Sequence, residues 1–497
     1  MTDVPEMSLR DTTVVSGHLD ELKKAFVKNA DKSLFIDREN IYSYREVWSA
    51  SRSIVKQWSK LGMCPGDRIG FSQENSISFL ISILACVVGG FVGVFINPNQ
   101  SDERIRGLLS ITKPKQVLDE PVTLTQRSFS EPVDLEDIKA SDENDFCILY
   151  SSGTTGEPKG ICHRLGGLLG SARAFATLSG MGGQTRLYHV LPMYYMAGFL
   201  NSFLAPLFAG STVVIGRSFS SKTVFDFWRD CETYRVNTLS ITPTIAAALC
   251  RAARHVKAPK ATLDRLVSVQ TTAGVLHSGL RRAFVEAFGH SLQDCYGMTE
   301  LGGPLTIQTP RDAKESEDVG HAMPALQFSF RDIAGGAISG QEMWIRSPYV
   351  MRGYISLGGL DLPVDRGGFM ATGDVARFSG GKLKITGRLK DVIIRGSENI
   401  YPLEIENIAS IIPGVKEVSV VGVYDAFWGE RVVGCLIRED FEEEDMLLSL
   451  VSSVASEKLN QGQRPDHWIM MEDFPRTAIG KVDKKALSEI AENKLRV

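Results

Sequence analysis

The hydrophobic positions of this chain alternate between helical spacing and the short runs typical of strands. Apolar residues recur every three or four positions from Val47 to Leu61, after a capping-box spacing that starts at Ser43. Short runs at residues 68–71 and 92–96 predict strands. A second series of strands and helices follows over residues 187–294. This alternation predicts an α/β fold in which helices cover the sheets.

The pattern changes twice in the second half of the chain. Residues 328–385 carry short strands and glycine-rich turns, which predicts a β-rich subdomain. A new series of helices and strands begins after Gly387, and an acidic run at residues 439–445 predicts a solvated loop. Because 497 residues exceed the usual length of one domain, two or three domains are expected. We predict a large N-terminal domain over residues 1–387, with two helix-covered sheets and the β-rich subdomain, and a small α+β C-terminal domain over residues 388–497.

One apolar stretch has the length of a membrane span. Residues 79–96 are eighteen consecutive uncharged residues. However, Gly89 and Gly90 interrupt the stretch, and Pro98 follows its end. The stretch therefore predicts a buried helix that ends near Val88, a turn and a buried strand, rather than a membrane span.

Composition and charge exclude several classes of function. The net charge of −4 gives no basic excess of the kind that nucleic-acid binding requires. The eight cysteines are scattered, with no Cys-x-x-Cys pair and no spacing suited to a metal. Residues 1–11 contain acidic residues and no apolar segment, which differs from a secretory signal. We therefore expect a cytoplasmic protein in a reducing compartment.

Residues 150–160 concentrate the groups that bind phosphate. They follow a short apolar run and read Tyr-Ser-Ser-Gly-Thr-Thr-Gly-Glu-Pro-Lys-Gly. The glycines allow tight turns, hydroxyl and N–H groups can cradle phosphate oxygens, and Lys159 can neutralise their charge. The segment is not a Walker loop, because Pro158 precedes the lysine and disfavours a helix there. Taken alone, the segment would suit a flexible surface loop equally well.

Five further motifs follow in order along the chain. They are residues 296–300 (Tyr-Gly-Met-Thr-Glu), 372–374 (Thr-Gly-Asp), 387–391 (Gly-Arg-Leu-Lys-Asp), 398–406 (Glu-Asn-Ile-Tyr-Pro-Leu-Glu-Ile-Glu) and 475–484 (Pro-Arg-Thr-Ala-Ile-Gly-Lys-Val-Asp-Lys). With residues 150–160, they make most of the chain resemble the adenylate-forming superfamily of acyl- and aryl-CoA ligases, nonribosomal adenylation domains and luciferases. The chain is most similar to a stand-alone acyl-CoA ligase, because it has no carrier-protein serine motif and sixteen residues follow Lys481.

The resemblance implies a reaction and a set of nucleotide-binding residues. A carboxylate would attack the α-phosphate of ATP, releasing pyrophosphate and leaving an acyl-adenylate. Tyr296 would lie along adenine, Asp374 would accept hydrogen bonds from the ribose hydroxyls, and Arg388 would contact ribose or phosphate. The β- and γ-phosphates would be bound by Ser151, Ser152, Gly153, Thr154, Thr155, Gly156 and Lys159.

The resemblance also implies the catalytic groups. Thr299 would hydrogen-bond the α-phosphate, and Glu300 would hold Mg²⁺, for which a carboxylate oxygen is a suitable ligand. Lys481 would bridge the attacking carboxylate and the phosphate, because an ammonium group stabilises the charge that develops there. Without this context, Thr299 and Glu300 would suit a helix N-terminus, and Lys481 would suit a solvated surface position.

Members of this superfamily rotate a mobile small domain between two half-reactions, and the hinge position matches Lys390. In the second state Lys481 would withdraw, and a loop would be presented to an incoming thiol. Residues 425–430 and 398–402 look most like those of acyl-CoA ligases. Coenzyme A is therefore the favoured acceptor, and the phosphopantetheine arm of a separate acyl carrier protein is the alternative. The thiol-acceptor loop would be Arg395, Gly396, Ser397, Glu398 and Asn399.

The acid substrate is less well defined. Many acyl-CoA ligases have a histidine at the position of Tyr195, and no acidic residue stands where amino-acid activators bind the α-ammonium group. We therefore expect an aliphatic or aromatic monocarboxylate, and which one remains open. His277 could contact a polar tail of the acid or start a helix. The expected apolar pocket consists of Tyr195, Met196, Phe199, Ala273, Gly274, Met298, Gly302 and Gly303.

Two other classes of protein compete with an acid–thiol ligase. A nicotinamide or flavin oxidoreductase would need Gly-x-Gly-x-x-Gly after its first strand, and the sequence has none there. A catalytically inactive acyl-binding protein would not need Lys159, Glu300 and Lys481, which are all present. The sequence leaves the oligomeric state and the pathway open.

Overall fold

The structure is a computed structural model that describes most of the chain. The described residues are 17–130, 138–150, 159–315, 318–333, 341–356, 358–379, 382–396, 398–439, 443–476 and 481–495.

The described strands are, in chain order, β1 (Ser33–Asp37), β2 (Asn40–Ser43), β3 (Arg68–Phe71), β4 (Val92–Phe95), β5 (Gln116–Leu118), β6 (Asp145–Tyr150), β7 (Gly160–Arg164), β8 (Arg186–His189), β9 (Thr212–Ile215), β10 (Thr238–Ile241), β11 (Ser268–Thr271), β12 (Gln293–Asp294), β13 (Gly297–Met298), β14 (Gly303–Pro304), β15 (Thr306–Ile307), β16 (His321–Ala322), β17 (Gln327–Asp332), β18 (Gln341–Arg346), β19 (Gly353–Ser356), β20 (Gly359–Asp361), β21 (Met370–Ser379), β22 (Lys382–Arg388), β23 (Ile393–Arg395), β24 (Glu398–Ile400), β25 (Val415–Asp425), β26 (Gly429–Arg438) and β27 (His467–Met470).

The described α-helices are α1 (His18–Lys28), α2 (Tyr44–Lys60), α3 (Ile77–Gly89), α4 (Asp102–Thr112), α5 (Leu165–Leu178), α6 (Ala205–Ala209), α7 (Phe227–Thr233), α8 (Pro243–Ala252), α9 (Lys260–Arg265), α10 (Ser278–Phe288), α11 (Asp312–Glu315), α12 (Pro402–Ser410), α13 (Glu444–Lys458) and α14 (Lys484–Leu495). Short 3₁₀ helices cover Gln126–Phe129, Thr223–Phe225, Thr299–Leu301, Leu389–Asp391 and Gln461–Gln463, and a π-helix covers Ala197–Leu204.

Two large sheets and a smaller antiparallel one form the large N-terminal part. The first sheet has the described strand order β12-β11-β10-β8-β9-β1-β2 and is parallel except at its edge strand β2. The second sheet has the order β20-β19-β7-β6-β4-β3-β5, with antiparallel strands at the β20 end. The third sheet, β15-β16-β22-β21-β18-β17, is the predicted β-rich subdomain. The predicted α/β fold with helix-covered sheets is confirmed.

A chain of phenylalanine rings holds the second sheet against the π-helix. Phe71, Phe79 and Phe95 pack together with ring centroids 5.7–5.9 Å apart. Phe199 on the π-helix lies 5.2 Å from Phe95 and 5.9 Å from Phe146. All five rings are at most 2% exposed. Burying each such side chain contributes about 1.5–3 kcal/mol to folding before the entropy cost is counted.

The capping box and the apolar stretch that resembles a membrane span fold as predicted. The Ser43 hydroxyl accepts from the backbone N–H of Glu46, whose carboxylate accepts in turn from the Ser43 N–H at 2.7 Å, so α2 starts there. Ser76 caps α3, and Gly90 ends it in the left-handed region with φ 69°. Strand β4 follows after one residue. No helix in the described ranges combines the length and apolar character needed to cross a bilayer.

Two elements differ from the sequence prediction. In the series predicted over residues 187–294, one helix begins as a π-helix at Ala197 and becomes α-helical only at Ala205. Pro206 cannot donate an i→i−4 hydrogen bond, and the helix changes its hydrogen-bonding pattern immediately before it. The acidic run was expected to be only a solvated loop, but Glu444 and Asp445 form the first turn of α13. Carboxylates at this position are favoured by the helix dipole.

The small C-terminal part is one sheet with helices on both faces. Its described strands have the order β24-β23-β26-β25, and β27 pairs with β26. Helices α12 and α13 pack on one face through Ile405 and Val451, and α14 packs on the other through Leu487. The predicted boundary between residues 387 and 388 stays a prediction.

Candidate active site

The predicted ribose-binding carboxylate, Asp374, is fixed from both sides. The Tyr296 hydroxyl donates to Asp374 Oδ2 at 2.6 Å, and Arg388 Nε donates to Oδ1 at 2.7 Å. The register of β21 and β22 sets Asp374 directly opposite Arg388. Burial and the neighbouring carboxylate hold the pKa of Tyr296 well above its usual range, so it stays a hydrogen-bond donor. The three predicted nucleotide-binding residues therefore form one hydrogen-bonded group.

Glu300, the predicted magnesium ligand, is oriented by a tyrosine that the sequence analysis missed. Tyr354 on β19 donates its hydroxyl to Glu300 Oε1 at 2.9 Å. Lys159 Nζ lies 5.3 Å from the centre of the same tyrosine ring, within the range of a cation–π contact. Tyr354 thus links the lysine of the phosphate-binding segment to the predicted metal ligand. A tyrosine in a short strand gives no sequence signal that distinguishes this role from ordinary packing.

The ends of the phosphate-binding segment are paired. Tyr150 on β6 lies opposite Gly160 on β7, so the segment starts and ends at the same point of the second sheet. Burial lowers the pKa of His163, also on β7, to about 4, so this imidazole is neutral at pH 7; the Thr299 backbone opposes that shift. The predicted phosphate ligands outside the described residues are Ser151, Ser152, Gly153, Thr154, Thr155 and Gly156.

Lys481 of the small part interacts with charged residues of the predicted nucleotide site. Lys481 interacts with two cationic side chains, Arg388 and Lys390. It also interacts with two carboxylates, Asp374 and Glu300. Lys481 is exposed by its surface area, but surrounding groups still desolvate its ammonium. Desolvation, followed by the repulsion of Arg388 and Lys390, lowers the pKa of Lys481, and the two carboxylates oppose that effect. The structure therefore brings Lys481 and Glu300 to one site, although 180 residues separate them.

The lysine motif is tied to the large part through α12. Lys484 donates to the buried carboxylate of Glu406 on α12 at 2.7 Å. Burial acts to raise the pKa of Glu406, but Lys484 and His277 together hold it below its usual value. His277 occupies the position before α10, so it starts a helix and faces the small part.

Helix α12 meets α10 at a glycine. The Gly279 N–H donates to Ser410 Oγ at 3.2 Å. A Cβ atom on Gly279 would come within 2.0 Å of the Ser410 carbonyl oxygen. This contact holds the small part where Lys481 is near Glu300.

The predicted acid pocket is only partly brought together. Met196 contacts Gly303, where an added Cβ would lie 3.1 Å from Met196 Cγ, and the Tyr195 hydroxyl accepts from Asn97 at 3.3 Å. Phe199 was expected to line the pocket, but it is fully buried among core phenylalanines. The remaining predicted residues lie in loops and short strands at the strand ends: Ala273 (φ 65°), Gly274, Met298 and Gly302 (φ 92°).

The predicted thiol-acceptor loop is held within the small part. Arg395 donates to Asp466 Oδ1 at 2.6 Å, and its guanidinium lies 5.2 Å from the ring centre of Trp428. Gly396 has φ 62° and donates its N–H to the Trp428 carbonyl at 2.7 Å. Glu398 and Asn399 belong to β24, and Ser397 lies outside the described residues.

The donor set fits a magnesium ion bound mainly through substrate phosphates. Within the described residues, no cluster of three or more His, Cys, Asp or Glu side chains could hold a metal. Glu300 can offer one carboxylate to such an ion, and binding through one or two carboxylates and substrate phosphates is usual for Mg²⁺ at nucleotide sites.

Most of the chain matches known enzymes. Residues 22–355 match the AMP-binding enzyme family, and residues 404–481 match the AMP-binding enzyme C-terminal domain. The indoleacetate–CoA ligase of Aromatoleum aromaticum is 31% identical over 357 residues, which are 70% of this chain and 67% of that protein. The mitochondrial malonate–CoA ligase ACSF3 of Homo sapiens is 25% identical over 523 residues, 92% of this chain and 89% of that protein.

Solved structures share the fold over nearly the whole chain. ATP-bound MatB from Rhodopseudomonas palustris superposes with a TM-score of 0.84 at 23% identity, covering 96% of this chain and 99% of MatB. The anthranilate CoA ligase AuaEII, in complex with anthranoyl-AMP, superposes with a TM-score of 0.85 at 19% identity, covering 99% of this chain and all of that chain. These matches and the motif order confirm the resemblance to adenylate-forming enzymes. The chain belongs to the AMP-binding enzyme family.

Proposed function

We propose that this chain is an AMP-forming acid–CoA ligase. It activates a carboxylic acid with ATP to an acyl-adenylate, releases pyrophosphate, and transfers the acyl group to the thiol of coenzyme A. The observation that carries the proposal is the electrostatic interaction of Lys481, in the small part, with Glu300 and Asp374 in the large part. It supports a cation that the small part brings to a nucleotide site. The curated relatives at 25–31% identity are CoA ligases, which supports coenzyme A as the acceptor.

In the first half-reaction, negative charge develops on the phosphates, and Lys481 and Lys159 supply the positive charges that stabilise it. A carboxylate oxygen attacks the α-phosphorus, and the bond from that phosphorus to the bridging oxygen of pyrophosphate breaks. The Lys481 ammonium stabilises the attacking carboxylate and the α-phosphate oxygens as their charges approach each other. Thr299 donates a hydrogen bond to the α-phosphate, and Lys159 holds the departing phosphates. Mg²⁺, held by Glu300, would neutralise phosphate charge.

The nucleoside is held by the hydrogen-bonded group at Asp374. Because Tyr296 and Arg388 already fix the carboxylate, little rotational freedom remains to be lost when ribose hydroxyls donate to it. The Tyr296 ring lies along adenine in this proposal. The phosphate segment, Ser151 to Gly156 with Lys159, supplies the donors for the β- and γ-phosphates.

The second half-reaction follows a rotation of the small domain about Lys390. We place the boundary of that domain between residues 387 and 388. Rotation withdraws Lys481 and brings the loop from Arg395 to Asn399 to the acyl-adenylate. The thiol sulfur attacks the acyl carbon, the bond to the phosphate oxygen breaks, and AMP leaves. The contacts of Arg395 with Asp466 and Trp428 support a loop whose conformation is fixed before the small domain rotates.

The substrate is a monocarboxylate in this proposal, aliphatic or aromatic. Tyr195, held by Asn97, stands at the position where many acyl-CoA ligases have histidine. Phe199 lies beneath the proposed acid pocket. The pocket consists of Tyr195, Met196, Ala273, Gly274, Met298, Gly302 and Gly303.

Acid-dependent exchange of labelled pyrophosphate into ATP tests the proposal. A broad panel of carboxylic acids is assayed first, and then coenzyme A or a phosphopantetheinylated carrier protein is added to the acid that works. Exchange with at least one acid, followed by a CoA thioester, is expected. Exchange followed by acylation of the carrier protein alone would replace coenzyme A as the acceptor. Absence of exchange across the panel would favour an inactive acyl-binding protein.

A further inference from the structure

One face of the first sheet packs against the π-helix. Part of this face is apolar, and part of it is polar. Leu187 on β8 pairs with Val213 on β9, and Phe35 on β1 packs against Phe203 of the π-helix with ring centroids 5.8 Å apart. This part of the face is apolar. His189 shares the face with Leu187, because side chains two residues apart on a strand point the same way.

Farther along the same face, three neighbouring strands carry polar side chains. Leu187 pairs with Thr238, which puts His189 beside Ser240, and Ser240 pairs with Gln270. The other face holds Leu239 and Val269, which belong to an apolar core. We call His189, Ser240 and Gln270 the polar row; at the usual strand spacing it spans about 10 Å.

The polar row is buried and has unused hydrogen-bonding atoms. All three residues are at most 1% exposed. Among the described residues, neither His189 ring nitrogen, nor Ser240 Oγ, nor Gln270 Oε1 has a hydrogen-bond partner of good geometry. The Gly198 carbonyl of the π-helix is near the His189 ring, but it does not meet hydrogen-bond geometry. Buried polar atoms are nearly always hydrogen-bonded, so four such atoms on three adjacent strands indicate an occupant.

The position of the row identifies that occupant as part of the acid. Strand β11 carries Gln270 and leads to Ala273, three residues and about 10 Å further along, in the proposed acid pocket. The π-helix also connects the polar row to the proposed acid pocket. Its Gly198 lies beside His189, and Met196, a pocket residue, immediately precedes the helix. An acid bound by its carboxylate near Lys481 would extend its far end toward the row.

The chemistry of the row selects a neutral tail. Ser240 and Gln270 are uncharged, and burial lowers the pKa of His189 to about 4, so its imidazole is neutral at pH 7. A second carboxylate would need a cation to offset its desolvation, and the row offers none. A hydroxyl or amide can both donate to and accept from these groups.

We propose that the polar row binds an uncharged hydrogen-bonding group, such as a hydroxyl or an amide, at the distal end of the acid substrate. This inference rests on the proposed acid–CoA ligase function. It narrows the substrate class to monocarboxylates with a neutral polar tail.

Matched acids test the inference. One series is octanoate, 8-hydroxyoctanoate and octanedioate, and a second is 3-phenylpropanoate with its 4-hydroxy and 4-carboxy derivatives. The more active series is scored by kcat/KM in pyrophosphate exchange. The hydroxy acid is expected to exceed both the apolar acid and the dicarboxylate at least about tenfold. Equal or greater use of the apolar acid or the dicarboxylate would overturn the inference.

Variants separate substrate binding from buried water. Ser240→Ala and Gln270→Leu are expected to reduce the preference for the hydroxy acid at least about tenfold, while coenzyme A thioester formation with the apolar acid persists. The control is Ser419→Ala, which removes another buried unpartnered hydroxyl in the small part and should leave the preference unchanged. An unchanged preference with a lowered Tm in both row variants would mean that the row binds only water, and would overturn the inference. Absence of exchange with every acid of the broad panel would instead overturn the proposed function.

Discussion

The Asp374 carboxylate is held in position without help from the nucleotide. Tyr296 donates to one oxygen and Arg388 to the other, and the side chain is 2% exposed. The motif containing Asp374 was recognisable from sequence, but the tyrosine and the arginine were assigned to adenine and to ribose or phosphate. Their contact with Asp374 depends on the register of β21 and β22 and on a residue 78 positions away.

Removing the Tyr296 hydroxyl should weaken ATP binding. In Tyr296→Phe, Asp374 Oδ2 loses a charge-assisted hydrogen bond worth about 1.5–3 kcal/mol. The KM for ATP in pyrophosphate exchange should rise about tenfold or more, with a smaller change in kcat. Tyr42→Phe, at the edge of the first sheet, is the control and should leave the KM for ATP unchanged. An unaltered KM in Tyr296→Phe would show that the contact does not orient Asp374.

The lowered pKa of Lys481 should limit the first half-reaction at alkaline pH. Only protonated Lys481 carries the positive charge, and desolvation, Arg388 and Lys390 lower its pKa. The kcat/KM for ATP should therefore fall as pH rises through a value below that of an ordinary lysine. Lys390→Gln removes one repelling charge, so the fall should move to higher pH. Lys485→Gln is the matched control, and equal profiles for all three proteins would contradict the assignment.

At the residue scale, the contact of Tyr354 with Glu300 could not be predicted from the sequence. Glu300 and Lys159 were predicted from their motifs, but the group between them was not. Motifs identify residues that touch the substrate, whereas a positioning residue is chosen by the shape of its own surroundings. Phe199 is the opposite case, because the sequence placed it in the expected acid pocket, whereas its ring packs in the hydrophobic core.

At the scale of elements, the contact between α10 and α12 is one of those that join the small domain to the large one. The Ser410 backbone lies so close to Gly279 that a side chain at residue 279 would not fit. Through Glu406 and Lys484, α12 is also tied to the lysine motif. We therefore expect this contact to influence whether Lys481 reaches the nucleotide.

Gly279→Ala should slow the first half-reaction selectively. The added methyl group forces α12 away from α10 at a cost of about 1–3 kcal/mol. Acyl-adenylate formation should fall accordingly, and thioester formation from supplied acyl-adenylate should not. Gly107→Ala is the control, because nothing lies within 4 Å of its added Cβ on α4. Equal loss of both half-reactions in Gly279→Ala would argue against a contact specific to one state.

Elements with strong local signals were predicted well, and those shaped by tertiary contacts were not. Ser43 with Glu46 and Gly90 with β4 follow local rules of capping and turning. The π-helix depends on the combination of Pro206 with packing between two sheets, which periodicity does not capture. The start of α13 at Glu444 was missed because an acidic run suits both a loop and a helix N-terminus.

At the scale of the whole molecule, two parts of the chain share one site. The large part provides Glu300 and Asp374, and the small part provides Lys481. The resemblance implied such sharing, because it includes a mobile small domain, and the shared nucleotide site stays a prediction. The polar row could not be predicted, since His189, Ser240 and Gln270 come together only through the parallel pairing of β8, β10 and β11.

The central claim is that Lys481 serves acyl-adenylate formation and not thioester formation. It is tested by measuring both half-reactions in Lys481→Ala, with Lys485→Ala on α14 as the matched control. Acyl-adenylate formation from acid and ATP should fall about 10²–10³-fold or more in Lys481→Ala. Thioester formation from supplied acyl-adenylate and coenzyme A should stay close to wild type. Equal loss of both half-reactions, or full activity in both, would contradict the account.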